Sequence, residues 1–413
     1  MDVVAVRPRA CTPWLLAATL CGPGTAVAQE NNDTVQFADE RGGARARLSD
    51  AGIDIRADLT GYLQQSDPDL DDDAADYGRF DLFVDFNAEK LGLWSGGMIR
   101  THSEIRMGDV QGSFAGALLP SATAGMLPLG RKDRFVASSV YLAQQIGERS
   151  ALLVGKINVL DLLEDDPVLG GWGIKRFQHI AFVAPPSGVV PPTLMGAVFV
   201  HNSKPVSWTF MVMGPNDRTS DYWVDGLFDE GVNFSIGPTW TGTLMGRPST
   251  VGLTAGFSTA RGQNLDEILL PEDLRTGDKK GSYNIALATT HRLRDSIQVE
   301  GKGLDLYLEA AVADGNPNPI QGSFTFGLAG HGMVTGRPHD SFGIGGFWFN
   351  FSNDLQKAVD PLVRFNDEKG LEAWYNMGVT PWFHLSADLQ LIDPASGNRR
   401  SALVAGLRAN VVF

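Results

Sequence analysis

The chain has 413 residues with 48 acidic and 34 basic side chains, a formal net charge of −14. This excess of acid argues against nucleic acid as a partner, because phosphate backbones attract basic surfaces. Beyond residue 28 the sequence contains no stretch near the ~18 to 20 continuous apolar residues that a spanning helix needs, which excludes a helical inner-membrane protein.

The first 28 residues have the pattern of a secretory signal. Arg7 and Arg9 precede an apolar run over 14–20, and the small residues of 26–28 complete the pattern. We therefore predict a signal peptide over 1–28, cleaved before Gln29. Export places the mature protein outside the cytoplasm.

Both cysteines lie inside this predicted signal. Removal of Cys11 and Cys21 leaves the mature chain without a thiol, so we expect no disulfide and no thiolate metal site. Residues 29–51 are predicted to form a short N-terminal periplasmic segment, and 52–413 a single β-structure.

From residue 52 onward, apolar and polar residues alternate with period 2 in segments of about ten residues, separated by Gly, Pro, Asn, Asp and Ser. This pattern predicts an all-β fold, a transmembrane antiparallel up-and-down β-barrel of 16 strands. The predicted strands are 53–65, 79–90, 96–108, 136–147, 151–159, 195–203, 206–214, 231–243, 250–260, 282–293, 301–313, 323–335, 340–352, 370–379, 383–393 and 401–413.

The predicted connections alternate between short and long along the whole chain. Short links such as 93–95, 148–150 and 204–205 face long ones such as 109–135 and 160–194. Short periplasmic turns opposite long extracellular loops are typical of bacterial outer-membrane barrels. A soluble exported sandwich is the alternative, since its strands also alternate.

The polar face of the alternation carries paired charges of both signs. In the third predicted strand, Ile99, Ile105 and Met107 lie on one face and Arg100, His102, Glu104 and Arg106 on the other. In a membrane barrel the apolar face meets lipid and the charged face lines the lumen.

Several loop and interface features have two readings. The long segment 160–194 either folds into the lumen as a constriction or caps the barrel from outside. The acidic run 67–76 either binds a divalent cation or is a solvated loop. Six aromatic residues are candidates for interfacial girdles: Tyr62, Trp94, Trp172, Trp348, Tyr375 and Trp382.

The sequence contains no nucleophile elbow, zinc-type histidine spacing or phosphate-binding loop, so no cofactor or metal is expected and the protein is predicted not to be an enzyme. The glycines of 327–336 lie on a predicted strand and turn with no following helix, which indicates β-geometry and not a nucleotide site. A barrel hydrolase that uses a Ser/His pair stays an alternative.

The C-terminal third resembles a known family. The segment 336–345, Gly-Arg-Pro-His-Asp-Ser-Phe-Gly-Ile-Gly, resembles a hairpin of the carbohydrate-selective porins of the OprB type. The pieces 372–375, 381–394 and 406–413 are similar to the closing strands of that family. The resemblance implies a sixteen-stranded barrel in the outer membrane of a Gram-negative bacterium, through which sugars such as glucose diffuse.

A sugar has hydroxyls all round and apolar ring faces, so a lumen with charged hydrogen-bond partners and a few aromatics replaces its hydration shell in stages. Each predicted pore-lining residue is alternatively a wall-stabilising ion-pair member. They are Arg56, Arg79, Asp81, Arg100, Glu104, Arg106, Lys156, Asp305, Glu309, Glu372, Asp388 and Arg408.

Two other functions stay open beside a sugar porin. One is a general porin or a porin for anions and small acids, of which the anion porin would show a basic ladder without carboxylates. The other is an outer-membrane hydrolase, which would show turnover. The expected partners are small sugars, outer-membrane lipid and lipopolysaccharide, with no nucleic acid. The chain is expected to be a monomer or a homotrimer.

Overall fold

The computed structural model describes residues 43–67, 74–108, 117–127, 135–164, 166–184, 186, 189–360, 362–397 and 400–413. The predicted signal peptide and most of the N-terminal segment lie outside these residues, as do positions 68–73 of the acidic run. Within the described residues no group of three or more His, Cys, Asp or Glu is placed to hold a metal ion.

Sixteen antiparallel strands close into one barrel, which confirms the predicted fold class and strand number. The strands are β1 Ile53–Ser66, β2 Ala74–Asn87, β3 Gly97–Gly108, β4 Val136–Ile146, β5 Ser150–Asn158, β6 Thr193–Ser203, β7 Val206–Met213, β8 Asn233–Leu244, β9 Arg247–Gly262, β10 Lys279–Asp295, β11 Gly303–Ala313, β12 Ile320–His331, β13 Ser341–Phe351, β14 Glu368–Thr380, β15 Phe383–Asp393 and β16 Ala402–Val412.

Each strand pairs with its neighbours in sequence order, and β1 pairs with β16 to close the barrel. The closing register runs from Asp58 opposite Val412 to Ser66 opposite Val404. Beyond it, the amide of Phe413 donates to the carbonyl of Ala57 at 2.7 Å. Closure leaves no open sheet edge, as a lipid environment requires.

The second strand begins earlier than its alternation predicted. It starts at Ala74 and not at 79, because Ala74 to Tyr77 continue the pairing with β1 as far as Gln65. Asp76 lies on the outward side of this extension and interrupts the apolar pattern. The first outer loop is correspondingly shorter.

Within the described residues, one helical segment precedes β1 and the others lie between strands. They are α1 Ala44–Asp50, α2 Thr123–Met126, α3 Val159–Leu162, α4 Ile180–Val183 and α5 Asn353–Val359, with 3-10 turns at Leu265–Glu267 and Glu272–Leu274. In the described part of the chain, helices fall short of the length and apolarity needed to cross a membrane.

Two of the six girdle candidates were wrong. Tyr62 points into the barrel and Trp172 lies in a buried loop, so neither ring reaches the lipid interface. Tyr62 lies near a predicted strand end and Trp172 lies in a predicted loop, and neither position fixes the direction of a side chain. Trp94, Trp348 and Tyr375 are exposed, as a girdle position requires.

Candidate functional site in the barrel lumen

Two connections from the extracellular side fold into the barrel. We call 117–127, in the connection between β3 and β4, the first inserted loop, and the described residues of 159–192, between β5 and β6, the second inserted loop. Leu119 of the first and Phe177 and Phe182 of the second are fully buried in one hydrophobic core with inward wall residues. The described residues of 160–194 fold into the lumen and do not cap the barrel from outside, which is one of the two predicted arrangements. Insertion of the first loop was not predicted.

Glycines on the wall let the second inserted loop come close. Gly327 of β12 and Gly345 of β13 lie opposite each other and face inward. A Cβ at Gly327 would lie 3.2 Å from the Val168 side chain, and one at Gly345 would lie 2.5 Å from the Phe182 ring. The glycine-rich pattern of β12 and β13 is therefore a packing surface for the loop.

Arg79 of β2 holds the first inserted loop by its carbonyls. Its Nη1 donates to the carbonyl of Leu127 at 2.7 Å and to that of Ala124 at 3.2 Å. Its charge is balanced by Asp81, 2.7 Å away, and Glu104, 3.1 Å away. The guanidinium is fully buried, so this pairing is what permits a charge in the lumen wall.

His102 of β3 lies between two carboxylates and ties the wall to the second inserted loop. Its Nε2 lies 2.9 Å from Asp81 and its Nδ1 lies 2.8 Å from Asp161 of α3. Because carboxylates only accept, both ring nitrogens act as donors. Asp161 also accepts from the hydroxyl of Ser139 and the indole of Trp172, so one loop carboxylate receives three side chains.

Two carboxylates on β14 hold the loops by their amides. Glu368 accepts from the backbone N–H of Leu118 at 2.8 Å and of Leu119 at 2.9 Å. Glu372 accepts from the backbone N–H groups of Gln178 and His179. Since both carboxylates are buried, these bonds fix each loop against β14, four strands round the closed barrel from β2.

Three more basic side chains of the wall donate to loop carbonyls, as Arg79 does. They belong to Arg106, Lys156 and Arg408. Arg408 reaches the carbonyl of Gly173 at 2.7 Å and that of Arg176 at 2.9 Å, and Arg106 reaches that of Gly125 at 3.0 Å. The Nζ of Lys156 donates to the carbonyls of Thr219 and Asp221 at 2.6 and 2.9 Å, in the loop between β7 and β8.

The remaining predicted lining residues bind side chains of the wall. Asp305 accepts from the Nε of Arg292 at 2.6 Å, and Glu309 accepts from the hydroxyl of Tyr307. Asp388 accepts from Gln390 at 2.9 Å, and the same Gln390 amide donates to the carbonyl of Ser121. These contacts join neighbouring wall positions to each other and to the first inserted loop.

Ten of the twelve predicted lining residues are buried, and Arg56 and Arg100 keep partial exposure, 25% and 27% of their side chains. The partly exposed pair belongs to what we call the β1–β3 cluster: Arg56, Asp58, Asp85, Arg100, Glu164 and Lys175. Asp58 joins Lys175 to Arg56, with its carboxylate 3.8 Å from the first and 3.4 Å from the second. Arg56 pairs with Glu164 at 2.7 Å, and Arg100 pairs with Asp85 at 2.8 Å.

Aromatic rings support this cluster from behind. The guanidinium of Arg56 lies 4.0 Å from the ring centroid of Phe83 and 5.4 Å from that of Trp172. Phe83 in turn stacks on His102 at 4.0 Å. Arg56 is therefore held by cation–π contacts and an ion pair together.

Sequence reasoning missed Glu164, Lys175 and Phe83. The first two lie in a loop, where alternation gives no direction. Phe83 shares the parity of Asp81 and Asp85, so an aromatic on the polar face of β2 was the available signal. Glu368 was missed because it lies two residues before the predicted start of its strand.

His179 of the second inserted loop is a neutral structural residue. Burial lowers the pKa of its ring to about 3. Its Nδ1 accepts from the amide of Ala181 at 3.2 Å, and its ring stacks on Phe347 at 4.1 Å. An uncharged imidazole suits this position because the ring is packed against apolar surface.

Comparison with known proteins decides the family. The profile of the family described as carbohydrate-selective porin, OprB family, matches residues 71–413. The chain belongs to this carbohydrate-selective porin family. It is an outer-membrane porin that passes sugars, and its family and fold are those of channels. A comparison with curated protein sequences finds no match.

Solved porin structures share the fold of this OprB-family porin. The high-pH structure of Pseudomonas putida OprB has a TM-score of 0.75 at 19% identity, over 91% of this chain and 97% of that chain. The low-pH structure of that protein has 0.56 at 16%, over 92% and 98%. An OmpT of Vibrio cholerae without loop L8 has 0.51 at 12%, over 87% and 99%.

Proposed function

We propose that small neutral sugars such as glucose diffuse past the β1–β3 cluster, beside the two inserted loops. The partial exposure of Arg56 and Arg100 carries this proposal, since the other ten predicted lining residues are buried. In this proposal the ten buried residues shape the passage by fixing loops and wall, and the cluster meets the solute.

The chemistry of the cluster favours a neutral polyol. Guanidinium groups donate and carboxylates accept, so paired Arg56–Glu164 and Arg100–Asp85 offer a sugar hydroxyl both kinds of hydrogen bond. An anion would meet a carboxylate beside each arginine, which counts against an anion or small-acid porin. Weak, replaceable contacts let the sugar leave again.

We also propose that the chain has no catalytic turnover. The twelve lining residues are charged groups engaged with partners, and the family is one of channels. Sugar recovered from the far side of a membrane is therefore expected to be chemically unchanged. A cleaved product would favour the hydrolase alternative.

The remaining expectations stay proposals. They are the signal peptide over 1–28, the N-terminal periplasmic segment over 29–51, contact with outer-membrane lipid and lipopolysaccharide, and a monomeric or trimeric state. N-terminal sequencing of the exported protein tests the first, and detergent-corrected mass measurement tests the last.

Liposome swelling with the reconstituted protein tests the passage. We expect fast uptake of glucose and slow uptake of gluconate, a charged solute of nearly equal size. Arg56→Gln removes the Arg56–Glu164 pair and is expected to change the ratio of glucose to gluconate uptake. Arg294→Gln, at the exposed end of β10, is the matched control and leaves the ratio unchanged.

Failure of glucose uptake by correctly folded protein would overturn the proposal. Equal uptake of glucose and gluconate would favour a general porin. An unchanged ratio in Arg56→Gln and in Arg100→Gln would remove the cluster from the sugar path while leaving the channel intact.

A further inference from the structure

Three consecutive large apolar side chains are exposed on the extracellular loop between β7 and β8. Tyr222, Trp223 and Val224 are 59%, 78% and 66% exposed. Exposing such a run to water is unfavourable, and a contiguous apolar patch on a surface commonly marks a binding site. The loop spans 214–232 and has no part in the contacts that fix the two inserted loops to β14 and β16.

The buried Lys156 fixes this run at its first residue. Its Nζ binds the carbonyls of Thr219 and Asp221 and lies 4.9 Å from the centroid of the Tyr222 ring. Lys156 faces inward, two residues before β5 ends at Asn158 on the extracellular side. Tyr222 is therefore at the mouth of the lumen, whereas a lipid-facing girdle residue would project from the outer surface of a strand.

Arg218 holds the turn that carries Trp223. Its Nη1 lies 3.2 Å from the Asp221 carboxylate and 3.3 Å from the carbonyl of Asp225, and its Nη2 donates to the carbonyl of Gly226 at 3.2 Å. The amide of Arg218 donates to the carbonyl of Thr193, at the start of β6. The turn is thus ordered in advance, which lowers the entropic cost of binding a ligand.

An exposed carboxylate accompanies the aromatic rings. The Asp221 side chain is 54% exposed and its carboxylate lies next to Arg218. Pyranose rings present apolar C–H faces, which pack on indole and phenol rings, and hydroxyls, which donate to carboxylates. This combination fits a neutral sugar better than an acyl chain, because an acyl chain has no hydroxyl to donate to the exposed side of the Asp221 carboxylate.

We propose that Tyr222 and Trp223 form a sugar-capture platform at the extracellular mouth, with Asp221 as its hydrogen-bonding edge. The platform rests on the proposed function, because it supplies sugar to the same passage. It lies near the extracellular ends of β5 and β7, whereas Arg56 and Arg100 lie three residues from the periplasmic starts of β1 and β3. Sugar accordingly meets the platform before the β1–β3 cluster.

Sugar-dependent block of ion current in planar bilayers tests the platform, with glucose added on the side of the extracellular loops. Trp223→Ala is expected to raise the half-blocking glucose concentration roughly two- to tenfold, the range for one lost aromatic contact. Ion conductance without sugar stays unchanged, and Trp223→Phe restores most of the affinity. Trp94→Ala, an exposed tryptophan at the periplasmic end, is the matched control and keeps the wild-type value.

The outcomes separate the platform from the porin itself. If wild-type protein passes glucose but Trp223→Ala keeps the wild-type half-blocking concentration, the platform is wrong and the sugar channel stands. If wild-type protein passes no glucose in the swelling assay, the proposed function fails first. If Trp223→Ala reduces membrane insertion and leaves sugar block unchanged, Trp223 is a lipid anchor, which also overturns the platform.

Discussion

Charged residues on the inner wall of this porin have two roles: some fix the inserted loops, and others face solvent. Arg79, Glu372 and Arg408 have their hydrogen bonds directed at the backbone of the inserted loops. Arg56 and Arg100 have theirs directed at carboxylates and remain partly open to solvent. Alternation places both kinds on the same face, so residue type and parity do not distinguish an anchor from a surface that solute meets.

Replacing an anchor is expected to loosen a loop. In Glu372→Gln the amide NH2 faces one of the two N–H groups of Gln178 and His179, and leaving that buried N–H without an acceptor costs about 1–3 kcal/mol. We expect larger and noisier single-channel conductance. Glu300→Gln in an exposed periplasmic turn should match wild type.

If the single-channel conductance of Glu372→Gln equals that of wild type in size and noise, other contacts suffice to hold the second inserted loop. Glu368→Gln then tests the first inserted loop in the same way, since Glu368 accepts from Leu118 and Leu119.

At the scale of elements, the close approach of the second inserted loop depends on the surface of β12 and β13. Inward glycines leave room for Val168, Phe177 and Phe182, and the apolar core inside the barrel follows from that close contact. Glycine inside a strand weakens the strand on its own. Here the loss is offset by burial of the loop side chains against the wall.

Gly327→Val is expected to displace this loop. The added methyls would enter the space of Val168, 3.2 Å from the Cβ position, and of Phe177, 3.6 Å away. Because no backbone atom is among these close neighbours, we expect the barrel to form and single-channel conductance to rise.

Gly61→Val is the control for that change, since a Cβ at Gly61 has no neighbour within 4 Å and the residue faces outward. It should keep wild-type conductance. If both variants conduct alike, packing on β12 does not position the second inserted loop.

For the whole molecule, closure of the sheet fixes which side chains meet lipid. In β16, Leu407 is outward and exposed, and Arg408, the next residue, is buried in the lumen. The same division holds in β1, where Leu63 is exposed and Gln64 is buried. A barrel thus places apolar and charged neighbours in two different solvents.

Leu407→Arg is expected to destabilise the folded barrel by about 2–4 kcal/mol, the cost of a cation on the lipid face near mid-membrane. Leu407→Phe keeps the position apolar and should cost little. Urea unfolding in lipid vesicles measures both. Equal stability of the two variants would contradict the assigned faces of β16.

The sequence by itself determined the class and the number of strands. Period-2 alternation, turn residues and the short and long connections are local properties, and each strand carries its own copy of them. It also determined the faces: Arg408 and Leu407 differ by one residue and therefore by 180° on a strand.

Only the tertiary structure decided what the inward residues contact. Leu118 meets Glu368 across 250 positions of sequence, and Gln178 meets Glu372 across 194. Loops have no fixed periodicity, so no local pattern gives their path or the partners of their amides and carbonyls. The distinction between anchors such as Arg79 and the solvent-exposed Arg56 arises from that path, because burial by the inserted loops is a property of the closed barrel.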